Sequence, residues 1–297
     1  CGTDLHLVLD GWGRPDSIGG HEWSGVVVEA TDGDLLGRRV VGGARRPCGR
    51  CRHCRAGRSS LCAERGKAGV DAFQGAFAQW VAAPVDELVP VPDGLDLRTA
   101  ALAEPLAVAL HAVTQGAVRP DDDVLVFGAG PIGAGIIAAL GRHGQSVRVV
   151  EPSPARARLA AGLGATVVDP ASLVTPPLPM DVANDPADVV FECSGRADAM
   201  TSALGQLERT GRLVLVGTGM DQPSFDPNRI LLNELEITGA YNYDDDGFEA
   251  ALGLLADPTF PAQTLIEPGA VGLDELLPTM QRLGDGQIAG KVMVQPT

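Results

Sequence analysis

Residues Val124–Leu140 read VLVFGAGPIGAGIIAAL, an apolar run of β-branched character that breaks into Gly128, Gly130 and Gly133 and then resumes at helical length. A buried strand, a tight turn and a helix follow from that pattern. In a dinucleotide site the three glycines have separate tasks: one makes the turn, one lets the backbone approach a pyrophosphate, and one lets helix and strand pack closely. Pro131 and Ile132 open the helix, whose N-terminus favours negative charge through its free N–H groups and macrodipole. Glu151 ends the next apolar run, VRVV, near the ~20-residue spacing at which a carboxylate receives ribose hydroxyls. A glycine-rich βα turn in some other α/β protein is the competing reading of this motif.

Toward the C-terminus the same alternation continues. PARARLAAGLGA (154–165) reads as an amphipathic helix whose Arg156 and Arg158 can point to solvent. TVVD, ADVVFECSG and RLVLVG read as buried strands, with residues 197–207 helical between the last two, and ELEITGA reads as the closing strand. Strands alternating with helices imply an α/β fold with a doubly wound parallel sheet that binds its ligand outside the carboxyl ends of the strands. Cys193 reads as a buried thiol at one such end. The strand near Ile237 is a candidate for pairing between subunits. DDDGFEAAL and LDELLPTMQRL read as helices, and Lys291 in AGKVMV reads equally as a coenzyme contact or a solvent-facing residue.

With 297 residues the chain is long enough for about two domains. It is 45% hydrophobic and 4% aromatic, an ordinary globular composition, and 38 Gly and 22 Pro make it rich in turns. A formal net charge of -15 argues against a nucleic-acid surface. No signal peptide and no apolar run of ~18 residues is evident, which leads to the expectation of no membrane partner and a cytoplasmic setting. The sequence starts at Cys1, inside what reads as a working motif and without Met, so it reads as lacking a preceding segment.

Six cysteines occur, and four of them, Cys48, Cys51, Cys54 and Cys62, form C-x2-C-x2-C-x7-C. That crowding is awkward for disulfides and suits four thiolates around one tetrahedral zinc, closed and therefore structural. Four thiolates on zinc carry excess negative charge, and Arg45, Arg46, Arg50, Arg52, Arg55 and Arg58 in the same segment read as compensation plus solvated surface. Cys1 and His21, in CGTDLH and GGHEWSG, are the thiolate and imidazole that a second, catalytic zinc takes. Short apolar runs, WSGVVVEA, GRRVVGG and AFAQWVAAP, read as strands of a barrel-like domain.

Taken in this order, the CGTDLH and GHE peptides, the four-cysteine lobe and the nucleotide motif make the chain resemble the medium-chain zinc dehydrogenases, the family of alcohol, sorbitol, threonine and butanediol dehydrogenases. The resemblance runs from Cys1 to AGKVMV and implies a GroES-like β-rich catalytic domain at 1–107, with several strands missing before Cys1 and the zinc lobe at 45–65. A Rossmann domain at 108–241 and a return to the catalytic domain at 242–297 complete the expected organisation. The resemblance makes Cys1 and His21 zinc ligands, with Glu22 either a ligand or a ligand's neighbour. Glu104, in EPLAVALHAV, stands where the alcohol dehydrogenases place a further Cys, as it does in the polyol and threonine enzymes. A helix-entry residue before Pro105 is the plainer account of Glu104. Thr3 matches the hydroxyl that hydrogen-bonds the substrate alcohol, and His6 the end of a proton relay.

The function so implied is NAD-dependent hydride transfer from a polar secondary alcohol of polyol or amino-alcohol type, or the reverse reaction on the ketone. Two zinc ions per chain are expected, and a homodimer or homotetramer. NAD is expected over NADP, because Glu151 would repel a 2′-phosphate. The competing reading is a non-catalytic nucleotide-binding protein with a vestigial metal site. A zinc-free quinone reductase would lack both metal sites.

Overall fold

A computed structural model describes residues 1–13, 17–42, 47–65 and 75–296. Arg45 and Arg46 of the arginine cluster lie outside the described residues. The chain forms two compact units: residues 1–108, 242–284 and 291–297 make the first, and residues 109–241 and 285–290 the second.

The first unit opens with a helix, α1 (Gly2–Leu9), that the strand-rich reading of this region does not anticipate. Strands β1 (Trp23–Val26) and β2 (Arg39–Gly42) pair antiparallel. After the short helix α2 (Arg52–Arg55) in the cysteine lobe comes β3 (Val89–Pro90), which completes a three-stranded antiparallel sheet in the order β1-β2-β3. AFAQWVAAP forms no strand. Instead Ala76 and Phe77 donate backbone N–H bonds to the carbonyls of Gly20 and Gly19, so this segment braces the GHE peptide. Asp96 caps α3 (Leu97–Ala100), and α4 (Ala103–Gly116) holds the point after Val108 at which the chain enters the second unit.

The second unit is the expected doubly wound sheet. Its strands are β4 (Val124–Phe127), β5 (Val147–Val150), β6 (Thr166–Val168), β7 (Ala187–Glu192), β8 (Leu207–Leu215) and β9 (Glu236–Gly239). All pairs are parallel and the order is β6-β5-β4-β7-β8-β9, the 3-2-1-4-5-6 arrangement of dinucleotide-binding sheets. β4 is buried at all four positions, as a strand covered on both faces must be. The connecting helices are α5 (Pro131–Gly141), α6 (Pro154–Gly162), α7 (Ala197–Gly205) and α8 (Pro227–Leu232). α7 stops at Gly205, two residues earlier than the sequence pattern indicates, and β8 starts at Leu207, five residues before Arg212. Leu125, Phe127, Val190, Leu204 and Leu213 form the heart of one apolar core on this sheet.

The chain then returns to the first unit through α9 (Gly247–Leu255) and α10 (Leu276–Gly284). Residues 285–290, given by the sequence to the catalytic domain, belong with the second unit. There the Gly286 carbonyl accepts from Ser153 Oγ at 2.8 Å and the Ile288 carbonyl from Arg156 Nε at 3.3 Å.

Candidate metal centre and coenzyme site

Among the described residues, two groups of metal-ligating atoms assemble in the first unit. In each, every ligand atom lies within 4.8 Å of the others. The first comprises Cys48, Cys51, Cys54 and Cys62. Cys51 caps α2, its sulfur accepting from Cys54 N at 3.5 Å, and Cys62 Sγ accepts from Cys48 N at 3.2 Å and Glu64 N at 3.4 Å. The backbone N–H groups of Cys54 and Ala63 bring the Cys51 thiol down to about 6, whereas burial and the neighbouring thiols push Cys54 up to about 12. Four thiolate donors in this arrangement suit zinc with no open position.

The second group comprises Cys1, His21 and Glu22. Cys1 is the N-cap of α1. His21 and Glu22 follow Gly20, which sits at φ +89° with the Phe77 ring so close that a Cβ would meet it at 3.1 Å. Only glycine serves there. Asp4, 2% exposed, links the two peptides: its Oδ1 accepts from Gly20 N at 3.2 Å and lies 3.5 Å from His21 Nδ1. A carboxylate on the second ring nitrogen fixes the tautomer and orientation of a metal-binding imidazole.

Lys291 is neither solvent-facing nor a free cation. It is buried, with its Nζ 2.6 Å from Glu22 Oε1 and 2.5 Å from Oε2. Burial pushes the Glu22 carboxyl up, but Lys291 prevails and holds it down at about 2. Glu104 fares differently. It occupies the first turn of α4 and is 8% exposed; burial first, and then the Glu22 charge, push its carboxyl up to about 7. The helix-entry role and the burial coexist, and a helix-entry role alone would leave the side chain in water. The buried Asp4 and Glu104 and the half-buried Glu22 thus share their surroundings with the Lys291 ammonium and with the Cys1 amino group, which lies 3.7 Å from Asp4. A cluster offering thiolate, imidazole and carboxylate fits a divalent cation of zinc's preferences.

Thr3 and His6 lie one turn apart on α1, positions that share a face. Thr3 is exposed. His6 Nδ1 is 2.6 Å from Asp10 Oδ2, and the ring stacks on Trp12 at 4.7 Å. Of the other aromatic residues, Trp80 is 70% exposed, whereas Tyr243 is buried under Arg65.

In the second unit the glycine turn has the tightness its sequence demands. Gly128 adopts φ +90°, and a Cβ on Gly133 would lie 2.0 Å from the Gly128 carbonyl oxygen. Gly130 is the N-cap of α5, with Pro131 in the first turn and Ile132 behind it. Glu151, just beyond β5, accepts from Ala129 N through Oε2 and from Ser153 N through Oε1, both at 2.8 Å. It ties the glycine turn to the following loop. Arg156 is half-buried on the Ile288 carbonyl, where a solvent-facing side chain was expected, while Arg158 is exposed.

With this geometry in place the comparisons are informative. Residues 1–93 match the alcohol dehydrogenase GroES-like domain, and residues 131–257 match the zinc-binding dehydrogenase model. The chain belongs to the zinc-dependent medium-chain dehydrogenases. It is 32% identical to an L-threonine 3-dehydrogenase of Xanthomonas campestris pv. campestris, over 99% of this chain and 88% of that one. It is 34% identical to a 2-dehydro-3-deoxy-L-galactonate 5-dehydrogenase of Pseudoalteromonas atlantica, over 86% and 77%. The crystal structure of 2R,3R-butanediol dehydrogenase from Bacillus subtilis superposes with a TM-score of 0.82 at 30% identity, covering all of this dehydrogenase and 89% of that chain. No helix among the described residues is long and apolar enough to cross a membrane.

Proposed function

We propose that this dehydrogenase oxidises a polar secondary alcohol, of polyol or amino-alcohol type, with NAD as hydride acceptor, and runs the reverse reaction on the ketone. The observation that carries the reading is the grouping of Cys1, His21 and Glu22, with the buried Glu104 electrostatically coupled to it, in a chain whose second unit has a dinucleotide-binding sheet. When bound, zinc supplies Lewis acidity to the substrate hydroxyl and NAD a hydride acceptor. Cys1, His21 and Glu104 hold the catalytic ion. Glu104 is preferred to Glu22 because Lys291 already neutralises Glu22, whereas no partner for Glu104 stands among the described residues. Asp4 orients His21. Thr3 receives the substrate proton and His6, backed by Asp10, passes it outward. Cys48, Cys51, Cys54 and Cys62 hold a second, structural ion.

NAD is favoured over NADP by Glu151. At ~5 Å and an effective dielectric of ~20, its charge and one phosphate charge repel by about 3 kcal/mol before screening. Arg156, whose Nε donates to the Ile288 carbonyl, keeps its charge and offsets part of this repulsion. Assembly as a homodimer or homotetramer uses the open edge at β9, where Ile237 is 37% exposed. The six thiols are unbridged and suit a reducing cytoplasm.

The test is turnover with NAD and NADP on a panel of vicinal diols, sugar alcohols and threonine, with zinc counted in the same sample. NAD-dependent oxidation at two zinc per chain is expected, and the coenzyme preference should shrink in Glu151→Ser. Coenzyme binding with no turnover on any secondary alcohol would overturn the catalytic reading, and a parent enzyme preferring NADP would overturn the role of Glu151.

A further inference from the structure

Glu192, the last residue of β7, is fully buried at 0% exposure, and the chemistry described so far does not use it. Its register partner is Phe127, the last residue of β4, so it stands at the point where the strand order reverses and a dinucleotide crosses the sheet. The carboxylate turns back onto its own loop. Oε1 accepts from Ser194 N at 2.8 Å and from Ser194 Oγ, and both oxygens lie 3.2 Å from Gly195 N. That loop has no slack. A Cβ on Gly195, which adopts φ +73°, would lie 2.1 Å from the Thr218 carbonyl oxygen, and one on Gly219 would lie 1.8 Å from the Gly195 carbonyl oxygen. On the other side, a Cβ on Gly128 would meet Ser194 N at 3.1 Å. The loops after β4, β7 and β8 therefore interlock backbone to backbone, and Glu192 holds the middle one. Glu151 does the same on the far side of β4, taking Ser153 N and Ala129 N.

We propose that Glu192 is a positioning residue for the coenzyme: its buried carboxylate fixes the Ser194–Gly195 loop and, through it, the Gly217–Gly219 loop that borders the nicotinamide side of the crevice, as Glu151 fixes the adenosine side. The assignment of sides follows from topology, since β5 carries the ribose-binding carboxylate and β7 and β8 lie across β4 from it. Oε1 reaches all three donors and Oε2 shares Gly195 N with it, so a carboxylate presents an acceptor on both sides of that N–H. Glutamine presents one acceptor oxygen and turns an N–H2 group toward backbone N–H groups. Burying a charge here is tolerable only because those donors surround it.

This inference rests on the dinucleotide reading of the second unit, and the experiment separates the two. NADH and ADP-ribose, which lacks the nicotinamide, are titrated onto the full chain, parent and Glu192→Gln and Glu192→Asp, with zinc content and Tm recorded. Glu192→Gln is expected to raise the Kd for NADH about tenfold, roughly 1.4 kcal/mol, while leaving ADP-ribose within about twofold and zinc unchanged. Glu192→Asp, whose shorter carboxylate still reaches the N–H two residues on, is expected to recover most of the NADH affinity. An unchanged NADH Kd in Glu192→Gln overturns the proposal. So does equal loss of NADH and ADP-ribose binding with a lowered Tm, which would make Glu192 merely structural. A parent chain that binds neither ligand would overturn the dinucleotide reading itself.

Discussion

Asp4 does the most at the candidate centre for a residue whose sequence position draws little notice. It is buried between Gly20 N and His21 Nδ1, so it both positions the GHE peptide and sets which imidazole nitrogen is left for a metal. Asp4→Asn should preserve the shape but lose the charge behind His21. The affinity of the catalytic zinc should fall roughly 10–100-fold, the usual effect of losing such a partner, while the four-thiolate ion stays. Chelator competition with zinc counted at each step measures both. His6 has a different task in this scheme. His6→Gln should slow alcohol oxidation chiefly at lower pH, where outside base is scarce, and leave two zinc ions per chain. Loss of an ion on that substitution would make His6 a ligand and end its relay role.

The elements are set by short-range chemistry that can be tested singly. α5 approaches β4 because Gly133 has no side chain; Gly133→Ala puts a methyl 2.0 Å from the Gly128 carbonyl oxygen and 3.5 Å from Cys193 Cβ. Overpacking of this kind costs about 1–3 kcal/mol, read as a lower denaturant midpoint at unchanged slope, and NADH affinity should drop with it. α3 depends on Asp96, whose carboxylate accepts from Thr99 N at 2.9 Å and from Thr99 Oγ1 at 2.7 Å. Partial burial works against its ionised form, but the Thr99 bonds outweigh it and hold the carboxyl below its ordinary value. Asp96→Ala should cost about 1 kcal/mol at neutral pH. A depressed folded-state pKa stabilises above the unfolded value of ~3.9, so the gap between parent and variant should narrow below that pH and close as pH passes through the folded value. A gap independent of pH between 7 and 3 would show that the carboxylate charge is not what matters.

At the scale of the molecule, the zinc lobe is wired to the segment that begins the return into the first unit. Asp244 Oδ1 accepts from Ser59 Oγ at 3.1 Å and Ser60 N at 3.0 Å, and Arg65 Nη1 donates to the Tyr243 carbonyl at 2.7 Å. These donors flank Cys62, so a metal held by Cys62 would order them. Cys62→Ser should lower Tm and raise hydrogen exchange at 243–246, with the catalytic ion still bound. In the parent, a chelator should strip the catalytic ion first, because an open coordination position admits competitors that a closed four-thiolate site excludes. Loss of both ions at one rate would contradict that division.

The sheet and its nucleotide turn were legible because their signals are local: β-branched runs, a glycine triplet at helical onset, and a carboxylate one strand on. The four-cysteine lobe was legible for the same reason, its ligands lying within fifteen residues of each other. AFAQWVAAP misled because its bonding partner, the Ile18–Gly20 segment, is distant in sequence and pairs without strand geometry. Asp4 was within reach, since it stands three residues from Cys1 on a helix, had that helix been recognised. Lys291 was not, for it meets Glu22 across 269 positions, and no periodicity encodes such a pair. The sequence by itself therefore determined the family, the fold and the kinds of donor atom. The tertiary structure alone decided that Glu22 pairs with Lys291 while Glu104 is buried in the first turn of α4, because burial and charge compensation are properties of neighbours in space.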